Sequence, residues 1–131
     1  AGGLGAGLVA FLGARITSGA EFVAEAIGLD SRIEQADVVF TGEGRLDLQT
    51  AYGKAVAVVA RLAKERGRPV VAFAGNVADD ADLVTLGLDA AVPIAKGPAS
   101  REEMFAKAEE LLSSAAEQAT RLLLLGRSFA G

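Results

Sequence analysis

The sequence predicts an α/β fold in which a parallel sheet is covered on both faces by helices, a three-layer α/β/α arrangement. Three short apolar runs alternate with segments of helical spacing, and the connections between them are short. With 131 residues the chain is too short for two independent cores, so we expect a single α/β domain over residues 1–131. Since 51% of the residues are hydrophobic but only 5% are aromatic, Ala, Val, Leu and Ile are expected to build the core.

Helices are predicted throughout the segment before the first strand. A helix of small residues is expected over residues 3–13. Ser18 is placed to cap a second helix, Glu21 completes a capping box, and Gly28 ends the helix. A short helical turn over residues 30–35 follows. The apolar residues of the first two helices are expected inside the protein: Leu4, Leu8, Val9, Phe11, Leu12, Phe22, Val23, Ala26 and Ile27.

The pattern then changes to that of buried parallel strands. Residues 37–41, 70–74 and 90–94 are short apolar runs, as expected for strands that are covered on both faces. Between the first two, residues 53–67 have charged side chains on one side only, which predicts an amphipathic helix. Residues 79–86 predict a shorter helix before the third strand. The order of strand, helix and strand favours a parallel sheet.

The C-terminal segment predicts one long helix. Ser100 caps it, Glu103 closes the capping box, and apolar residues recur at steps of three and four as far as Gly126. Three strands are few for a free-standing α/β domain, and the chain starts at Ala1 without an initiator Met. We therefore expect it to be a piece of a longer protein whose missing part supplies further strands.

Composition excludes several classes of function. The chain has no Cys and no His, which removes disulfides, thiolate chemistry, an imidazole base and Cys/His zinc sites. The net charge of −4 and the pI near 4.8 argue against nucleic-acid binding. The apolar stretch 4–11 is far shorter than the ~20 residues of a membrane span. We expect a cytoplasmic protein without nucleic-acid or membrane partners, whose chemistry rests on carboxylates, cationic side chains, hydroxyls, backbone amides and a bound metal.

One segment carries more polar groups than its structure requires. Residues 41–50 are expected to form a loop at the carboxyl end of the first strand, where parallel sheets bind their ligands. Gly42 and Gly44 let the backbone approach a ligand and turn its amides toward an anion. Glu43 and Asp47 are hard oxygen donors of the kind that Mg²⁺ prefers. The segment is therefore a candidate ligand site.

Two cations complete this candidate site. Arg45 can fork onto a carboxylate or a phosphate, and Lys54 lies at the start of the next helix, where negative charge is already favoured. The alternatives are an exposed ion pair between Glu43 and Arg45 and a solvated Lys54. Because so many polar residues and glycines are gathered in one loop of an apolar chain, the interpretation as a ligand site is favoured.

Two common nucleotide motifs are not matched. The pattern Gly42-x-Gly44 continues to Asp47 where the third glycine of the dinucleotide fingerprint would stand, and no Gly-Lys-Ser/Thr completes a Walker A sequence. NAD and P-loop chemistry are therefore disfavoured. What remains is a carboxylate-rich anion site that is compatible with a metal.

Residues 42–54, which read Gly-Glu-Gly-Arg-Leu-Asp-x-Gln-Thr-x-x-Gly-Lys, resemble the signature of the bacterial glycerate kinases of the glycolate and galactarate pathways. Residues 1–6 resemble the glycine-rich stretch that precedes it, residues 70–77 the following strand and turn, and residues 97–103 the last loop and helix. The chain departs from the family after Lys54, where Ala-Val-Ala-Val-Val replaces x-Pro-x-Gly-Val. The helix that begins here is thus less constrained than in the family.

The resemblance implies an ATP-dependent kinase that phosphorylates D-glycerate with Mg²⁺, with 2-phosphoglycerate as the favoured product. It also implies a larger kinase with two α/β domains around a cleft, of which this chain is about the final third. The chain's partners would be glycerate, ATP and the missing N-terminal part of the same protein, and a homodimer is one arrangement left open. The isolated chain would then be inactive.

The implied kinase gives the residues of the segment their roles. Asp47 would accept the proton of the attacking hydroxyl or hold Mg²⁺, and Glu43 is the other candidate for the metal. Arg45 would grip the glycerate carboxylate or the transferring phosphate. Further contacts to substrate or nucleotide are assigned to Gly42, Gly44, Gln49, Thr50 and Lys54.

Residues and functions outside this assignment stay open. Asn76 and Asp79 lie at the end of the second strand, where a pocket wall is one interpretation, but capping of the next helix by Asp79 is the simpler one. Tyr52 either stacks on a substrate or covers the core. The competing function is a noncatalytic α/β module that binds a nucleotide or an anion, and a purely structural domain would pair Glu43 and Asp47 internally.

Overall fold

The chain forms a parallel sheet with helices on both faces, as predicted. The computed structural model describes residues 2–52 and 54–130. The strands are β1 (Val39–Leu46), β2 (Val70–Val77) and β3 (Ala90–Pro93), which lie in the order β1-β2-β3. The helices are α1 (Leu4–Leu12), α2 (Gly19–Ala26), α3 (Leu29–Glu34), α4 (Ala55–Glu65), α5 (Leu83–Leu86), α6 (Arg101–Ala106) and α7 (Ala108–Ala130), and a 3₁₀ turn (Leu48–Ala51) follows β1.

One face of the sheet packs against α4 and forms the core. Val56, Ala60 and Ala63 of α4 are buried, and so are Val70 and Ala72 of β2 in the same cluster. On its other side α4 exposes charged residues, among them the ion-paired arginine at position 61. The amphipathic helix predicted over residues 53–67 is therefore confirmed, within the bounds Ala55–Glu65.

The opposite face of the sheet is covered by α7 in part. Because side chains alternate along a strand, Val71 lies on the face away from α4, and it lines a gap of about 450 Å³ together with Val92 and Leu111 of α7. Phe40 and Phe73 pack edge to face on this side, with ring centroids 5.3 Å apart. Phe40 nevertheless remains 42% exposed.

The predicted burial of the first two helices is wrong. In α1, Leu4 is 64% and Phe11 is 88% exposed, and no residue of this helix is buried. In α2, Phe22 and Val23 are more than half exposed, whereas Ala24 is the buried residue. Apolar spacing shows which side of a helix avoids water, but it does not say whether the chain supplies a neighbour for that side.

Helix caps confirm several predicted boundaries and correct others. The Ser18 hydroxyl accepts a hydrogen bond from the Glu21 amide at 3.2 Å, but the Glu21 side chain pairs with Arg61 instead of closing the predicted capping box, and α2 ends at Ala26, before Gly28. Ser100 and Glu103 form the predicted capping box, with bonds of 3.2 and 2.8 Å. In α5 the cap is Asp82 and not Asp79, because the Asp82 carboxylate accepts from the Val84 amide at 3.0 Å. The single helix predicted after Ser100 is divided at residue 107 into α6 and α7.

No helix within residues 2–52 and 54–130 combines the length and the apolar character that crossing a bilayer requires.

Candidate functional site

The candidate segment begins inside β1. Residues 42–46 were expected in a loop, but they pair with β2 in a parallel register that joins Gly42 to Phe73, Glu43 to Ala74 and Arg45 to Asn76. Glycines favour a loop when a strand is judged alone, yet pairing with a neighbouring strand overrides this preference. The loop starts only at Asp47, so the site lies at the carboxyl end of two paired strands.

The two strands approach each other closely at two glycines. A Cβ atom at Gly75 would lie 2.8 Å from the carbonyl oxygen of Gly44, a distance that real side chains do not reach. Val39 and Leu46 both belong to the core, although they are seven residues apart and strict alternation would place them on opposite faces. The alternation therefore changes within β1, so that Leu46 points into the core and Arg45 outward.

Asp47 is fixed by the 3₁₀ turn that follows it. The Asp47 amide donates to the Thr50 hydroxyl at 3.1 Å, and that hydroxyl lies 3.3 Å from the Asp47 carboxylate and 3.5 Å from the Arg45 carbonyl oxygen. A hydroxyl has one proton to donate, so it serves one of these two acceptors at a time. Thr50 is fully buried. The predicted direct contact between Thr50 and a ligand does not fit this burial, and Thr50 instead holds Asp47.

The carboxylate of Asp47 is held in its charged form. Burial favours the neutral acid, but the positive charge of Lys54 and hydrogen bonds from Thr50, the Gln49 amide and Arg45 together outweigh it. The pKa of Asp47 is therefore lowered from its ordinary value. Its side chain is 20% exposed, so the charged group can still be reached from solvent.

Arg45 lies between two acceptors at the same edge. Its Nε donates to Asp47 at 3.4 Å, and its Nη1 donates to the side-chain oxygen of Asn76 at 3.4 Å. The side chain remains 61% exposed. The sequence allowed an ion pair between Arg45 and Glu43 as an alternative. In the structure Arg45 pairs with Asp47 instead.

The other predicted site residues surround this pair less closely. The Glu43 carboxylate accepts a hydrogen bond from the Gly44 amide at 3.0 Å, so this amide does not point freely at an anion. Lys54 occupies the N-cap position of α4 with an extended backbone and no side-chain capping bond, and it is half-buried. Gln49 is exposed, and Tyr52 is 80% exposed, so Tyr52 does not cover the core.

The site is an open edge of the sheet. Three cavities of about 520, 450 and 440 Å³ lie elsewhere, and Glu43, Arg45 and Asp47 line none of them. Within the part of the chain that the structure describes, no three acidic side chains are grouped closely enough to hold a metal ion by themselves. A divalent ion here would need ligands from a substrate in addition to Asp47 and Glu43, which is how proteins commonly bind Mg²⁺.

Sequence reasoning missed the roles of two residues. Asn76 was placed in a pocket wall, but its contact with Arg45 depends on the pairing of β1 with β2 and has no local signal. The role of Thr50 did have one, because Asp followed by Thr three residues later is a capping pattern.

A parallel α/β sheet with charged and polar side chains at the carboxyl ends of its strands is typical of α/β domains that bind their ligands at this edge. The chain matches the model of the glycerate kinase family over residues 1–124. It therefore belongs to the glycerate kinase family.

Individual relatives agree with this assignment. The chain is 44% identical to the glycerate kinase of Halalkalibacterium halodurans over 88% of its own length, and 38% identical to the glycerate 2-kinase of Escherichia coli over 100%. A crystal structure assigned to glycerate kinase 2 of Salmonella typhimurium superposes on 97% of the chain with a TM-score of 0.72 and 36% identity. The chain spans only about a third of these proteins: 31%, 35% and 32%, respectively.

Proposed function

We propose that the protein to which this chain contributes transfers the terminal phosphoryl group of ATP to D-glycerate. Membership of the glycerate kinase family supports this activity, and so do the names of the relatives. The observation that carries the proposal is the contact between Arg45 and the ionised Asp47 at the carboxyl edge of the sheet. Phosphoryl transfer needs positioning and charge stabilisation more than covalent chemistry, and this pair offers both.

The lowered pKa bears on the two roles that the sequence left open for Asp47. A carboxylate that stays ionised is a weak base toward a free hydroxyl, so it takes up a proton only as the new oxygen–phosphorus bond forms. The same property suits a ligand of Mg²⁺, which neutralises phosphate charge when bound, with Glu43 as the second protein ligand. In both roles Asp47 acts as a fixed negative charge that Thr50 orients.

Arg45 would hold the anionic end of a reactant. Its side chain is 61% exposed and two of its nitrogens are already engaged, which leaves further N–H donors for a carboxylate or a phosphate. The amide of Gly42, the side chain of Gln49 and the charge of Lys54 extend the same edge and are proposed as further contacts. The Gly44 amide joins them only if Glu43 turns away from it.

The proposal also covers the hydroxyl group that is phosphorylated and the part of the protein that completes the site. The Escherichia coli relative is named glycerate 2-kinase, which supports phosphorylation of the 2-hydroxyl group. The open edge supports an arrangement in which the remainder of the protein supplies the other wall of a cleft, so we expect no turnover by the 131 residues alone. A cytoplasmic location and a homodimer stay predictions.

The experiment uses the full-length protein with ATP, Mg²⁺ and D-glycerate. Asp47→Asn is expected to lower kcat by about 10²- to 10⁴-fold, because a positioned acid–base group contributes on this scale. Arg45→Ala is expected to raise the KM for glycerate by about 10- to 100-fold, as for a lost hydrogen bond to a charged group. Arg15→Ala, at an exposed arginine near α2, is the matched control and should leave both constants unchanged.

The identity of the product and two negative outcomes also test the proposal. Phosphorus NMR of the product distinguishes 2-phosphoglycerate from 3-phosphoglycerate. A wild-type rate for Asp47→Asn would remove Asp47 from the mechanism. ATP binding by the full-length protein without turnover would favour the noncatalytic nucleotide-binding module instead.

A further inference from the structure

Strand formation does not explain why β2 contains an asparagine at position 76. The strand is otherwise built from apolar residues and one glycine, and asparagine is among the residues that strands disfavour. Its side chain is exposed, so it fills no space in the core. We therefore expect Asn76 to have a partner outside the strand.

That partner is Arg45 on the neighbouring strand. The register places Arg45 directly beside Asn76, and the Asn76 side-chain oxygen accepts from Nη1 at 3.4 Å. On the other side of the same guanidinium, the carboxylate of Asp47 accepts from Nε at 3.4 Å. Contacts to two different nitrogens restrict the rotation of the guanidinium more than a single contact would.

We infer that Asn76 is a positioning residue that orients Arg45 toward a carboxylate or phosphate group of the ligand. The inference rests on the proposed role of Arg45 in anion binding. Asp47 alone does not orient the Arg45 guanidinium, because the Asp47 carboxylate also contacts Thr50 and is proposed to act on the reactants. Asn76 is neutral, so it orients the guanidinium without cancelling the charge that attracts the anion.

The first test is a double-mutant cycle in the full-length protein. Asn76→Ala is expected to raise the KM for D-glycerate about 5- to 10-fold, since it removes one hydrogen bond to a charged group. If Asn76 acts through Arg45, the same substitution in an Arg45→Ala background should change KM less than about twofold. An undiminished effect of Asn76→Ala in that background would mean that Asn76 acts independently of Arg45, and it would overturn the inference.

The second test needs no turnover and therefore separates this inference from the proposed function. In full-length protein labelled with ¹⁵N-arginine, Asn76→Leu keeps the bulk but removes the acceptor of Nη1, and it should shift the Arg45 Nη–H signals and speed their exchange with solvent. Asn76→Asp keeps an acceptor oxygen and should preserve slow exchange. An Arg45 signal unchanged in Asn76→Leu would overturn the inference. A responding signal in a protein that fails to phosphorylate glycerate would contradict only the proposed function.

Discussion

The face of the sheet that carries α4 and the face that carries α7 differ in how well their apolar side chains are covered. Four residues of α4 are buried, whereas the 23-residue α7 buries none. Leu46 on the α4 side is completely buried, while Leu122 in α7 is 68% exposed and Phe40 is 42% exposed. The apolar side chains are thus buried to different extents on the two faces, because this chain supplies neighbours for one face and only in part for the other.

This difference shows where the stability of the chain resides. Burial of apolar surface is the main favourable contribution to folding, so the α4 side supplies most of it. The exposed leucines of α7 contribute little in this chain alone. Substitutions matched between the two faces test this contrast.

The largest effect is expected from Leu46→Ala on the α4 side. Removing a buried leucine leaves a cavity and costs about 2–5 kcal/mol of unfolding free energy. The matched control is Leu122→Ala, which should cost no more than about 0.5 kcal/mol because its side chain is mostly in solvent. Urea unfolding of the 131-residue chain measures both. Equal losses would contradict the contrast, and a larger loss for Leu122→Ala in the full-length protein would show that the rest of the protein covers α7.

The next effect concerns the close approach of β1 and β2. Gly75→Ala would place a methyl group 2.8 Å from the Gly44 carbonyl oxygen, and the overpacking should cost about 1–3 kcal/mol. Gly44→Ala is the matched control, since a Cβ atom there meets nothing within 4 Å. Its stability should stay within about 1 kcal/mol of the wild type. If Gly75→Ala unfolded at the same urea concentration as Gly44→Ala, the close contact would not limit the sequence at this position.

The sequence was sufficient to predict the three strands and most of the helices, because these depend on local periodicity, and the order of the elements along the chain predicted the parallel arrangement. It placed the end of β1 too early, since Gly42 and Gly44 break the apolar pattern while pairing with β2 continues the strand. It also placed the apolar sides of α1 and α2 inside the protein. A periodic pattern identifies such a side but contains no information about which element covers it.

The residue types of the candidate site were predictable in the same way, but their contacts were not. Glycine, carboxylate and arginine in one segment indicate an anion site without any knowledge of the fold. The contact of Arg45 with Asn76 joins residues 31 positions apart and depends on the register of two strands, which no local pattern specifies. For this reason the sequence predicts Arg45 as a candidate but indicates neither its ion pair with Asp47 nor its contact with Asn76.

A smaller effect is expected from the two serine caps, whose hydroxyls each accept a 3.2 Å bond on unequally packed helices. Ser18→Ala removes the 3.2 Å bond from the Glu21 amide, and because α2 contributes the buried Ala24, the loss should reduce global stability by about 1 kcal/mol. Ser100→Ala removes an equivalent bond from α6, which buries no residue. Its effect should appear as faster amide exchange within α6 and only weakly in the urea midpoint. A larger midpoint shift for Ser100→Ala than for Ser18→Ala would reverse the assigned roles.

The smallest effect is expected from charge, and it depends on pH. A hydrogen bond from Arg66 lowers the pKa of Asp30 from its ordinary value of 3.8, burial opposes this shift, and the charge of Arg66 adds to it. Because the pKa is lower in the folded state, the carboxylate stabilises the fold above about pH 4, and this stabilisation is lost as the pH falls through the folded value. Asp30→Asn should therefore lower the unfolding midpoint at pH 7 and approach the wild type near pH 2.

The matched substitution on the other face is Glu117→Gln, which removes an ion pair to Arg121 within α7. The pair between Asp30 and Arg66 joins α3 to the end of α4, so its loss affects the packed part of the fold, whereas the α7 pair joins two turns of one exposed helix. We expect Glu117→Gln to leave the midpoint unchanged across the same pH range. Since Asp30 and Arg66 are partly exposed, high salt should reduce the effect of Asp30→Asn as well. An effect of Asp30→Asn that persists unchanged at pH 2 would mean that the asparagine disturbs packing, and the contrast between the faces would then rest on apolar contacts alone.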